Sequence, residues 1–334
     1  MLIDELVRSI GGIYIGYPLT LCNDQFRWDS EKFQQLLGNT LVVVDCSWEN
    51  WGSGNFINSL YDELEKFNIN FLVLTHIYED HLVRPRMLFH PFWYHSVVMY
   101  SVIRNNIDPA NIQLVDQKKY RLSCLHGNPR PHRILNYIKL NKFLDDPSML
   151  IKIFTNPNGI DSRLDEDYVL SEEHTSTWKE LNKNLQSREE IQNQENIIDV
   201  GTDVTTPAHS DSYINLVTET TIITRLQQSE KIWKPILSGQ MFVILGNPGA
   251  VGRLRKQGVD TYDDFIDHDY YDKEQDFETR LTKLHYLIEN LISQDLLSIN
   301  TALHSRRLKN IENFYAGNFD QQYNDFIRII KEHL

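Results

Sequence analysis

Two apolar runs, TLVVVDCS (40–47) and INFLVLTH (69–76), separated by the helical pattern NFINSLYDELEKFN (55–68), constrain this chain most. Each run is apolar at consecutive positions, so both faces of the strand it predicts must be covered. Two such strands joined by a crossover helix predict a parallel sheet with helices against it. GIYIG (12–16) supplies a further strand, and the first half is expected to be doubly wound. An aromatic-rich loop and helix over 84–103 leads into a second series. This contains the strand YRLSCLHG (120–127), the helix PHRILNYIKLNKFL (131–144), the strand MLIKIFTN (149–156), a polar helix or linker (178–196) and the strand SYINLVTET (212–220). Helix candidates follow at 276–292 and 321–334. A chain of 334 residues exceeds what one core usually serves. The expectation is α/β, with an N-terminal domain over 1–117 and a C-terminal domain over 118–334 whose last helix packs back on the first. Ligands of such folds bind at the carboxyl ends of the strands.

Composition narrows the partners. A net charge of −13 repels polyanions, which makes nucleic acid an unfavoured partner unless one face is locally basic. The three cysteines, Cys22, Cys46 and Cys124, are far apart and lie in or beside apolar runs, as reduced core residues of a cytoplasmic protein do. No stretch of eighteen apolar residues is present, and Asp4, Glu5 and Arg8 interrupt the N-terminal segment. The expectation is a soluble, unexported protein with no membrane span.

The segment SEKIWKPILSGQMFVILGNPG (229–249) concentrates the chemistry. Ser229 suits an N-cap for a helix from Glu230, Ser238-Gly239 suits its stop, and Pro235 in the second turn predicts a short or kinked helix. The free N–H groups of a helix start, with Lys231 beside them, suit a diphosphate. Glu230 suits a pair of ribose hydroxyls. Gly246, Gly249 and Gly252 after the strand allow a ligand close to the backbone. An ordinary strand-turn-helix connection with a surface Glu-Lys pair reads the same residues without a ligand.

The longer run SYINLVTETTIITRLQQSEKIWKPILSGQMFVILGNPG (212–249) resembles the donor-binding block of the α-1,3-fucosyltransferases and related exostosin-like glycosyltransferases. Glu219 matches the glutamate that ends the block's first strand, Glu230-Lys231 its Glu-Lys pair, Trp233 its tryptophan, Ser238-Gly239 its turn and FVILGNPG its closing strand and loop. The chain departs from the pattern at Thr218-Glu219-Thr220, Ser229 and Met241-Phe242, and the two glutamates are one residue further apart. The following GVDTYDDFIDHDYYD (258–272) is similar to the acidic stretch after that block, and the chain as a whole resembles glycosyltransferase-like open reading frames of large phages. The resemblance implies two Rossmann-like domains facing across a cleft, the GT-B arrangement, with a nucleotide diphosphate sugar held by the C-terminal one. It implies Glu230 on the ribose and Lys231 on the diphosphate, with Glu219, Arg225 and Gly246 in the same donor-binding block.

CLHGNPRPHR (124–133) joins a strand to a helix, so His126, Arg130, His132 and Arg133 are expected at the same edge. Arg130 or Arg133 suits a second diphosphate clamp, with helix capping and surface charge as the alternative. The histidines and Cys124 lack the spacing of a closed zinc site. A transfer with inversion needs a general base, sought in the N-terminal domain. Glu49 in DCSWENWGSGN (45–55) is preferred, between Trp48 and Trp51, with Asp45, Glu79 and Asp80 as rivals. FHPFWYH (89–95) suits packing or an acceptor sugar, and the acidic 263–272 stretch is expected to be a solvated loop, with no metal. The expected function is a metal-independent glycosyltransferase moving a sugar from a nucleotide diphosphate sugar to a hydroxyl acceptor, with no cofactor beyond that donor. The alternatives are a non-catalytic nucleotide-sugar or glycan-binding protein and a glycosyltransferase of modified DNA bases.

Overall fold

The computed structural model describes residues 7–8, 12–15, 21, 29–39, 41–46, 54–75, 77–78, 86–89, 114–153, 168–192, 207–222, 226–227, 229–315 and 328. The chain divides into two compact units, residues 1–93 with 320–334, and residues 94–319. The C-terminal helix candidate (321–334) lies outside the described residues apart from Arg328.

In the first unit, β1 (Ile13–Ile15), β2 (Val42–Cys46), β3 (Phe71–Thr75) and β4 (Met87–Phe89) form a parallel sheet in the order β1-β2-β3-β4. Between them run α1 (Ser30–Gln34) and α2 (Gly54–Lys66). Helix α2 buries Ile57, Leu60, Tyr61 and Leu64, the stripe expected of an amphipathic helix. These join Phe33 and Leu36 from the α1 region in one cluster with Val42, Val44, Cys46, Phe71 and Val73. Both helices therefore cover one face, which is what right-handed crossovers running in one direction produce. The reversal of strand order that a doubly wound sheet needs is absent among the described strands of this unit. A second difference concerns Met87–Phe89, expected within a loop or helix: these three apolar residues extend the sheet beside β3.

The second unit contains β5 (Tyr120–His126), α3 (Pro131–Leu140), β6 (Met149–Ile153), α4 (Glu172–Gln192), α5 (Pro207–Ser210) and β7 (Ser212–Thr218). It continues with α6 (Glu230–Leu237), β8 (Met241–Leu245), α7 (Ala250–Lys256), α8 (Asp269–Asp272), α9 (Phe277–Ile292), α10 (Leu296–Ala302) and α11 (His304–Tyr315). Its parallel sheet has the order β8-β7-β5-β6. Every residue of β7 and β8 is buried; β8 is a continuous apolar run, whereas β7 also buries Ser212, Asn215 and Thr218. The chain steps outward from β5 to β6, then returns to the other side of β5 with β7. That reversal creates a switch point at the carboxyl ends of β5 and β7, the place where open α/β sheets take ligands.

The polar segment near 178–196 is helical through Gln192, anchored by buried Trp178 packing edge-on against Tyr137. The acidic stretch 263–272 is not simply a solvated loop. Ile266, His268, Tyr271 and Asp272 are buried in it, and Tyr262 just before it, because these residues complete the core over β8. Outward carboxylates around it are paired, Asp263 and Asp269 with Arg255, and Asp260 and Asp264 with Arg306.

Candidate functional site

The donor-side candidates Arg130, Arg133, Glu219, Lys231 and Gly246 come together around the ends of β5, β7 and β8. Positions more than a hundred residues apart in sequence are joined here because parallel strands deliver all their carboxyl ends to one edge. Glu219 follows β7 and is fully buried. Its carboxylate accepts the Ser229 N–H at 3.0 Å and the Thr220 N–H at 3.3 Å. It therefore ties the end of β7 to the start of α6.

Helix α6 starts as its sequence dictates. Ser229 caps it, its hydroxyl accepting the Lys231 N–H at 3.3 Å, and the helix stops after eight residues at Ser238 and at Gly239, where φ is +62°. Lys231 is half-buried in the first turn. Glu230 begins the helix, but its side chain lies outside the described residues, as does Arg225.

The β5–α3 connection approaches the same corner. Arg130 is the N-cap of α3, makes no side-chain capping bond and precedes Pro131, which has no N–H to satisfy. Its Nη1 donates to Thr220 O at 2.8 Å. Arg133, 4% exposed, donates to Asn128 O at 3.3 Å and Glu219 O at 3.4 Å, and His132 Nε2 donates to Glu219 O at 3.0 Å. Burial, reinforced by Arg133, pushes His132 well below the ordinary imidazole value and His126 down to about 3. The positive charge of this corner is therefore that of the two guanidiniums rather than of the histidines.

Behind it lies a buried polar chain that the sequence did not reveal. His126 Nδ1 meets Thr218 Oγ1 at 3.2 Å, Asn136 Nδ2 meets His126 Nε2 at 3.4 Å, and His285 Nε2 meets Asn136 Oδ1 at 2.8 Å. Cys124 sits against His126 at 3.3 Å, but burial raises its thiol pKa far above the usual range and removes it as a nucleophile.

Two of the three glycines after β8 have structural reasons, close packing at Gly246 and a left-handed backbone at Gly249. A Cβ at Gly246 would stand 3.4 Å from both Glu219 Cγ and Ala250 Cβ, so the glycine lets β8 approach the Glu219 corner. Gly249 has φ +85° and precedes α7, whose Val251 and Gly252 N–H groups are taken by the Asp272 carboxylate at 3.0 and 3.1 Å. The start of α7 thus already holds an internal anion. Sequence reasoning missed Asp272 because the pairing joins the start of α7 to the end of α8, 20 and 21 positions away.

On the base side, Asp45 occupies β2 opposite Leu74, with its side chain outside the described residues. Glu49, Glu79 and Asp80, like Trp48, Trp51 and residues 90–95 of the aromatic run, also lie outside them. Among the described residues no group of three or more His, Cys, Asp or Glu side chains is placed to hold a metal ion, and no helix is long and apolar enough to cross a membrane.

No family model, no curated protein and no solved structure matches this chain.

Proposed function

We propose that this protein is a glycosyltransferase that takes a sugar from a nucleotide diphosphate sugar held at the carboxyl edge of the second sheet. One observation carries the reading: Arg130, Arg133, Glu219, Lys231 and Gly246, chosen from sequence as donor-side residues, gather at the switch point of a parallel sheet. Two guanidiniums, a helix start without a side-chain cap and a nearby lysine supply the cations and N–H groups that a diphosphate needs. The resemblance of residues 212–249 to the fucosyltransferase donor block supplies the donor class, and with it the GT-B arrangement.

In this reading the acceptor hydroxyl oxygen attacks the anomeric carbon, the bond from that carbon to the diphosphate oxygen breaks, and a carboxylate takes the hydroxyl proton. Glu49 is the preferred base, with Asp45 and Glu79 next. The described cysteines, Cys46 and Cys124, are buried and unbridged, which supports a reducing, cytoplasmic setting. A second reading, a non-catalytic nucleotide-sugar-binding protein, draws on the bonds from Arg130 to Thr220 O and from Arg133 to Asn128 O and Glu219 O, backbone carbonyls as in a structural clamp.

The test is release of nucleoside diphosphate from a panel of nucleotide sugars, with wild type beside Glu49→Gln, Asp45→Asn and Glu79→Gln. Catalysis predicts slow release even to water, and a fall of roughly 10²- to 10⁴-fold in the variant that loses the base. Binding without release in the wild type would favour the non-catalytic reading.

A further inference from the structure

At the same edge, Asn247 is 4% exposed, and its Nδ2 has no hydrogen-bond partner. Its Oδ1 accepts the Thr221 hydroxyl at 3.2 Å, and Thr221 is itself buried. A buried amide donor left unmade is costly, and in folded chains such groups call for an explanation. Trp178 Nε1 and Asn300 Oδ1, also buried without a hydrogen bond, lie in α4 and α10. Asn247 instead lies in the loop after β8, one residue beyond Gly246, which packs on Glu219.

We propose that Asn247 reads the nucleobase of the donor, its Nδ2 donating to a carbonyl oxygen or ring nitrogen on the base edge. This rests on the nucleotide-sugar reading above. The bond from Thr221 fixes the amide by its oxygen, so the donor side is the one offered to an incoming group. An uncharged, directional donor suits a base edge, whereas a phosphate is matched by the guanidiniums. Since the amide is covered, the base reaches it as Asn247 or its cover shifts.

The experiment is calorimetric titration of uridine, guanosine, adenosine and cytidine diphosphates into the full chain, for wild type, Asn247→Asp and Asn247→Leu. Asp keeps the shape and replaces the donor by an acceptor; Leu removes both. The wild type is expected to prefer one base, and both variants to lose that preference, with affinity for the preferred diphosphate falling about 10- to 100-fold. Without ligand, Asn247→Leu is expected to fold but to melt no higher than the wild type, because it removes the unmade donor together with the acceptor of the buried Thr221 hydroxyl. Unchanged base preference in folded variants overturns the assignment, as does an equal fall for all four diphosphates. If the wild type binds none of the four, the nucleotide-sugar reading itself falls and takes this inference with it.

Discussion

Glu219 shows how one residue carries two meanings. From sequence it matches a donor-binding glutamate; in the fold its carboxylate accepts two backbone N–H groups and receives no solvent exposure. A buried carboxylate with those bonds organises the corner whether or not a ligand is present. Glu219→Ala should therefore lower unfolding stability by about 1–3 kcal/mol in ligand-free protein, since it strands the Thr220 and Ser229 N–H groups. Urea unfolding measures this, and wild-type stability in the variant would return Glu219 to a role in ligand contact alone. Lys231 differs: it lies half-buried at the first turn of α6. Lys231→Ala should weaken nucleoside diphosphate binding by about 1.5–3 kcal/mol with the fold intact. Equal affinity in the two proteins would remove Lys231 from the site.

At the scale of elements, the three helix starts that follow β5, β7 and β8 differ in how their N–H groups are met. Helix α6 is closed by Ser229 and Glu219 and α7 by Asp272, whereas α3 begins on Arg130 without a side-chain cap. Ser229→Ala should cost about 1 kcal/mol, the usual worth of an N-cap. Asp272→Ala should cost about 1–3 kcal/mol, because Val251 and Gly252 lose a buried acceptor. Thermal or urea unfolding checks both, and Asp272→Ala at wild-type stability would show that the α7 start finds another partner. The cap at Ser229 was legible because capping is local: the residue, the helix and the stop at Ser238-Gly239 all lie within a dozen positions. The Asp272 cap, the strand at Met87–Phe89 and the core under the acidic stretch were not. Each depends on packing between segments distant in sequence, which periodicity does not encode. The strands β2, β3 and β8 were readable for the opposite reason, since burial on both faces writes itself as a largely apolar run, while β5, β6 and β7 were read from shorter apolar stretches between polar residues.

For the molecule as a whole, buried histidines set the response to acid. Burial pushes His126 and His285 down to about 3 and His268 down to about 4. Their value in the unfolded chain is about 6.5. The folded value is thus the depressed one, so this contribution to stability is fully present above pH ~6.5 and is lost as pH falls toward 3 to 4. Each histidine costs about 1.4 kcal/mol per pH unit within that window. The urea midpoint should fall steadily from pH 7 to pH 5, before the carboxylates titrate; a flat midpoint there would mean that these imidazoles are not buried and neutral.

The division into two α/β units, each with a parallel sheet, follows from the same apolar runs. The function proposed for the second unit rests on its switch point, and ligand-induced stabilisation tests that most directly. Each nucleoside diphosphate and each nucleotide sugar is added to the full chain at increasing concentration while the unfolding temperature is followed. The account predicts that one base family raises it with saturating dependence, by about 2.7 kcal/mol of stabilisation at a hundred times the dissociation constant. It also predicts that Arg130→Gln, folded in the absence of ligand, shows a smaller rise at every concentration. No rise with any diphosphate or nucleotide sugar would contradict it.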